Sequence, residues 1–170
     1  MKKTLFTLAA LMCMTLGLTA CGDDNDSPET SVTGSATYEV EFSQDLLDAA
    51  DISIVYVGDN GQVSLDKATS TRWTRKVTRE LKTVPADYGF KLVFTVKGNL
   101  NKESYQLKAE GTIKGETPTS TRVFTKTLLN TPVGPDKVQE ILNKNNNKAF
   151  GIQIYKDGTI IENPLFTVFI

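Results

Sequence analysis

Residues 88–98 read YGFKLVFTVKG. Phe90, Leu92, Phe94 and Val96 fall on one side of an extended chain, and Lys91, Thr95 and Lys97 fall on the other. Side chains of a strand alternate between faces, so this stretch predicts a half-buried β-strand. A helix would set Phe94 above Phe90 and turn Leu92 away from both.

The same period recurs on either side. In ATYEVEF, residues 36–42, Tyr38, Val40 and Phe42 share one face and Thr37, Glu39 and Glu41 the other. QDLLDAAD, residues 44–51, predicts a helical turn with Leu46 and Leu47 facing in. DISIVYV resumes the extended chain, and Gly58, Asp59, Asn60 and Gly61 supply residues that tolerate the positive φ of a tight hairpin, from which QVSLD returns. STRWTRKVTREL, residues 70–81, places Trp73, Val77 and Leu81 on a stripe that suits helix or strand. Its threonines and its neighbours favour strand. SYQLKAEGTIKG alternates through Tyr105, Leu107, Ala109 and Ile113, GETPTS breaks the chain, and TRVFTKTLL is another strand. TPVGP, residues 131–135, is a turn into the helix PDKVQEILNKNNN, with Pro135 at its first position and Val138, Ile141 and Leu142 on its apolar stripe. A strand, an Asp157-Gly158 turn, a second strand and the apolar run PLFTVFI complete the chain. About eight to nine short strands with one short helix near the C-terminus predict an all-β sandwich.

The N-terminus is of another kind. Lys2 and Lys3 precede an apolar stretch from Leu5 to Leu18, too short to span a bilayer, as an export signal requires. Small residues then lead into a cysteine, Leu18-Thr19-Ala20-Cys21. This resembles the lipobox of bacterial lipoproteins. The resemblance implies cleavage after residue 20 and lipidation of Cys21, whose acyl chains would anchor the protein at roughly 0.8 kcal/mol per buried CH₂. Asp23, Asp24 and Asp26 follow at once, and Gly22-Asp23-Asp24-Asn25-Asp26 resembles the acidic export tag of Bacteroidetes surface lipoproteins. The implied location is the outer membrane, lipid-anchored and exposed at the cell surface, with the periplasmic face as the alternative.

The expected organisation is a signal peptide over residues 1–20, a flexible tether over 21–35 with a reach of roughly 20 Å, and a single sandwich domain over 36–170. YEVEF and YGFKLVFTVKG also resemble strands of small immunoglobulin-like lipoprotein domains from gut Bacteroidetes, which implies an immunoglobulin-like sandwich and names no activity.

Charge is segregated along the chain. Residues 21–66 hold 11 acidic side chains and no lysine or arginine, whereas residues 67–126 hold 13 basic against 5 acidic. Two readings stay open: acidic early strands pair with basic later ones across a sheet, or the basic block faces an anionic partner. Without Lys2 and Lys3 the net charge of −1 becomes −3, and nucleic acid is not expected as a partner.

The chain has no histidine, which excludes Ser-His-Asp triads, Cys-His pairs and the usual zinc sites. Glu39 and Glu41 offer a carboxylate pair, but nothing in the sequence marks either as buried, and solvated strand glutamates are the expectation. Asp45, Asp48 and Asp51 recur every third residue and read as turn and cap residues rather than calcium ligands. No enzyme, cofactor or metal is expected. Trp73, the only tryptophan, lies among Arg72, Arg75, Lys76 and Arg79. An exposed indole with nearby guanidiniums would stack and grip an acidic sugar; alternatively Trp73 plugs the sandwich and the arginines pair with the early acids. The expected function is therefore a non-catalytic binding module for a glycan or a surface protein. A second possibility comes from PLFTVFI, apolar on both faces as a strand between layers would be. Such a strand can complete a neighbour in donor-strand fashion, and the combination of lipobox, sandwich and apolar terminus resembles fimbrillin-like assembly subunits.

Overall fold

The computed structural model describes residues 31–168. The chain forms β1 (Val32–Phe42), α1 (Gln44–Ala49), β2 (Ala50–Val57), β3 (Val63–Lys67), β4 (Arg72–Leu81), β5 (Ala86–Val96), β6 (Tyr105–Glu116), β7 (Thr121–Val133), a 3-10 turn (Pro135–Lys137), α2 (Val138–Asn145), β8 (Ala149–Ile154) and β9 (Ile160–Glu162). Two antiparallel sheets, ordered β4-β1-β6-β7 and β3-β2-β5-β8-β9, face one another as a sandwich. The all-β expectation is met. The strand order is the chain's own: β1 and β2, which share a sheet in immunoglobulin domains, lie here in opposite sheets.

Period two decides which residues enter the core. Ala36, Tyr38, Val40 and Phe42 of β1, and Tyr105, Leu107, Ala109 and Ile113 of β6, meet Ile52 and Ile54 of β2 and Tyr88, Phe90, Leu92 and Phe94 of β5. Buried phenols need partners. Tyr38 donates to the Val57 carbonyl (2.9 Å) and accepts from the Gly89 N–H (3.1 Å), while Tyr88 donates to the Gly34 carbonyl (2.8 Å). Ser43 caps α1 by accepting from Leu46 N–H, and Leu46 is fully buried while Leu47 is half-buried. Val138 and Leu142 of α2 are wholly buried against the same core.

Four details differ from the sequence reading. First, residues 32–35 belong to β1, with Val32 paired to Leu81 of β4 and Ser35 to Glu116 of β6, so the sandwich includes residues before 36. Second, β7 continues through Thr131, Pro132 and Val133, leaving Gly134 as the turn. Pro132 is tolerated because β7 is an edge strand. Within β7 the register against β6 slips at Leu128, so that Leu128 and Leu129 both face inward, the effect of a β-bulge. Third, Lys91 is only 9 % exposed, because its side of β5 is covered rather than solvated.

Fourth, that cover comes from the C-terminal residues: Lys91 is flanked in the sheet by Val55 and Ala149, which belong to the outer cluster of Phe166 and Val168. Residues 163–168, expected as a strand between layers, instead cross the outer face of the five-stranded sheet as a strap. Phe166 and Val168 form a second small core there with Val55 and Val57. Phe166 fits because Gly89 of β5 and Gly151 of β8 are directly paired across the ladder and both lack a side chain. A Cβ at Gly151 would overlap Phe166 Cγ and stand 2.6 Å from its Cβ and Cδ2. Asn163 pins the start of the strap: its N–H donates to the Gly151 carbonyl (2.8 Å) and its Nδ2 donates to Asp87 (3.0 Å).

Candidate functional site

Cys21 and the acidic residues Asp23, Asp24 and Asp26 lie outside the described residues.

The five residues proposed for ligand binding do not share one surface. β4 is an edge strand, and alternation sends Trp73, Arg75 and Arg79 toward the seam between the sheets while Arg72 and Lys76 point to the outer face. Trp73 is half-buried and lies nearly parallel to Tyr38, with ring centroids 6.4 Å apart and 9° between planes. Tyr56 and Phe90 stand at 5.4 and 6.3 Å from it. Its indole N–H donates to Asp66 of β3 (3.0 Å), and Arg75 donates to the same oxygen (2.6 Å) while lying 5.6 Å from the Tyr56 ring. Burial pushes the Asp66 carboxyl up, but the bonds from Arg75 and Trp73 outweigh it and hold the group below its ordinary value. The indole therefore closes the seam between β4 and β3 and is not a free plate for a sugar.

The other basic residues of β4 are similarly engaged. Arg72 pairs with Glu39 (2.7 Å), Lys76 approaches Glu116 (3.7 Å), and Arg79 donates to the Asp87 carbonyl (2.8 Å) with its guanidinium 5.4 Å from the Tyr88 ring. Of the two readings of segregated charge, pairing with the early acids accounts for Arg72 and Arg75, whereas Lys76 meets a carboxylate of the later block and Arg79 a backbone carbonyl. Exposed pairs of this kind contribute about 0 to 1 kcal/mol each, so their effect is on register more than on stability.

The spaced aspartates are also committed. Lys102 donates to Asp45 and Asp48 at 2.6 Å each, and Asp45 accepts the Gln106 N–H (2.8 Å), which together hold both carboxyls below the usual range. Asp51 lies 3.7 Å from Lys97. Glu116 is lowered by Lys114, and Asp157 by the Thr159 N–H and hydroxyl. Every carboxyl with a resolved shift is thus held in its charged form, opposite to what a general acid needs.

Sequence reasoning passed over the hairpin ends. The β6–β7 turn closes with the Thr117 N–H donating to the Ser120 carbonyl (2.8 Å), and the β8–β9 turn with the Tyr155 N–H donating to the Thr159 carbonyl (2.9 Å). The two turns flank a groove of about 410 Å³ lined by Thr119, Ser120, Arg122, Asp157, Thr159 and Ile161. Gly158, at φ 90°, keeps them together, since a Cβ there would stand 2.5 Å from Thr119 Oγ1. The available signal was a pair of polar turns, each next to an apolar strand end, with Arg122 beside one of them. A second groove, of about 440 Å³, runs beside the strap between Val63, Arg79, Asp87 and Leu165.

No family model, curated protein or solved structure matches the chain.

Proposed function

We propose that this protein is a lipoprotein of the outer membrane, of the Bacteroidetes surface type, anchored through Cys21 and acting as a non-catalytic binding module for a glycan or a surface protein. One observation carries the reading: Leu18-Thr19-Ala20-Cys21 ends an export-type apolar run, and only residues 22–31 separate that cysteine from the first strand of a compact sandwich. A chain so arranged is held at a membrane surface by its first residue and presents one rigid domain close to it. Binding rather than catalysis is supported by the absence of histidine and by carboxylates held charged by ammonium, guanidinium or backbone N–H groups.

Proteinase treatment of intact cells producing the full chain, followed by glycan-array screening of the soluble form begun at Ser27, tests the reading. Cleavage on intact cells and a defined set of bound glycans are expected. A protected protein together with a blank array would overturn surface binding.

A second reading, an assembly subunit acting through its C-terminal segment, is favoured by the strap. Phe166 sits in a ring-sized slot on an outer face, from which the segment can leave without opening the main core. Removal of residues 165–170 should then give a folded monomer that no longer assembles. A parent protein that is monomeric at all concentrations would end that reading.

A further inference from the structure

Two cations leave the inward side of β7 at the open seam between the sheets, Lys126 opposite Gly111 and Arg122 opposite Gly115. Both partners are glycines whose missing Cβ faces core side chains, Phe90 for Gly111 and Ile152 for Gly115, which fixes the side on which the cations start. Lys126 is answered from the opposite sheet: Glu162 of β9 lies 3.9 Å away, and the Phe150 ring lies 5.6 Å from its ammonium. Arg122 is not answered. It borders the groove where Thr159 leads into Ile160 and Ile161 of β9, and among the described residues its guanidinium has neither a hydrogen-bond nor an ion-pair partner. The other three arginines each hold a protein oxygen, on Glu39, Asp66 and Asp87. Asp157, the carboxylate that lines the same groove, accepts the Thr159 N–H within its own turn (2.8 Å) and makes no ion pair with Arg122.

The surroundings of this guanidinium are polar with an apolar rim. Thr119, Ser120 and Thr159 bring hydroxyls to the walls, Ile161 is 41 % exposed at the rim, and the two turns are fixed by their own backbone bonds and by Gly158. A guanidinium binds a carboxylate or sulfate through paired, charge-assisted hydrogen bonds. Threonine hydroxyls both donate and accept, as ring hydroxyls require, and an apolar rim suits the C–H face of a pyranose. We propose that this groove binds an acidic sugar residue of a glycan, with Arg122 on its carboxylate or sulfate, Thr119 and Ser120 on its hydroxyls, and Ile161 against its ring. The proposal rests on the binding-module reading above and names the ligand class and the site.

The test is a titration of the ¹⁵N-labelled soluble form, begun at Ser27, with oligogalacturonate, with a sulfated chondroitin disaccharide, with neutral maltotriose and with sodium sulfate. Expected are saturable shifts of the Thr119, Arg122 and Thr159 amides with either acidic sugar, weakening as salt is added. Arg122→Gln should weaken binding by about tenfold or more, the loss expected of a hydrogen bond to a charged group, with part of it restored in Arg122→Lys. Thermal denaturation of each variant checks that the fold is kept. Acidic sugars that bind equally well to Arg122→Gln would overturn the site, as would shifts confined to other residues. Sodium sulfate binding as tightly as the sugars would overturn the sugar assignment. A neutral glycan captured on an array without shifts at this groove would sink this inference and leave the binding-module reading standing; no glycan binding of any kind would sink this inference and the glycan arm of that reading, leaving a surface protein as its partner.

Discussion

Gly151→Ala is expected to act entirely through Phe166, and the pair forms a mutant cycle that the structure makes quantitative. The three atoms nearest to a Cβ at Gly151 all belong to Phe166, so the new methyl group has one way out, which is to evict the ring. Phe166 is 7 % exposed, and loss of its burial costs about 2 to 3 kcal/mol. That sum is also the ceiling for Gly151→Ala, since the domain can always release the strap, and Phe166→Ala should cost a similar amount. Once Phe166 is gone, Gly151→Ala should be neutral or stabilising by about 0.5 to 1 kcal/mol, because glycine within a strand is less favourable than alanine. The coupling is therefore about 2 kcal/mol or more, well beyond the scatter of independent sites. Urea unfolding followed through Trp73, the only tryptophan, measures all four corners of the cycle. Gly89→Ala is the control: its Cβ would also overlap the Phe150 carbonyl oxygen, a backbone atom, so Phe166→Ala should not rescue it. Additive costs for Gly151→Ala and Phe166→Ala would refute the strap-and-slot account.

Four further outcomes concern the core and the seam. Tyr38→Phe removes one bond accepted by Val57 and leaves the Gly89 N–H without its partner, so calorimetry should register a loss of about 2 kcal/mol. Burial raises the Tyr38 phenol far above its ordinary value and the Tyr88 phenol to about 12. Their contribution should be fully present below pH of about 10, where the unfolded phenols stay protonated, and should decline as pH rises through the folded values, which an ultraviolet titration of Tyr38→Phe and Tyr88→Phe against the parent measures. Asp66 is shifted the other way, so its contribution is complete above the unfolded value of 3.8 and fades as pH falls through the lower folded one. Acid unfolding of Asp66→Asn should accordingly show a shallower dependence on pH than the parent. Finally, Trp73 fluorescence should be blue-shifted and resist quenching by iodide, and emission like that of free indole would contradict its place against Tyr38.

The fold was legible wherever one face of a strand is buried and the other is wet. β1 and β6 alternate strictly, and Phe90, Leu92 and Phe94 marked β5 from sequence alone. The same logic failed where a face is covered from outside. Lys91 reads as solvent-facing by parity, and only the strap, contributed from the far end of the chain, changes that. A signal was present in Gly89 and Gly151, since a glycine inside a strand often marks a close approach by another group. TRVFTKTLL was legible as a strand, but the bulge that turns both Leu128 and Leu129 inward breaks the period by one residue and is not visible in the alternation. At the seam, Trp73 among basic residues looked the same from sequence whether it stacked on a sugar or on Tyr38. The deciding partner, Asp66, belongs to the early acidic block, and pairing across sheets is not visible in local spacing. The Arg122 groove escaped notice for a related reason, because its two turns meet only in the folded chain.

Mass spectrometry of the N-terminal peptide from the membrane-extracted native protein tests the central functional claim most directly. The account predicts a mature chain that starts at Cys21 and carries diacylglyceryl and amide-linked acyl groups. A peptide that retains residues 1–20, or that begins with an unmodified Cys21, would contradict it.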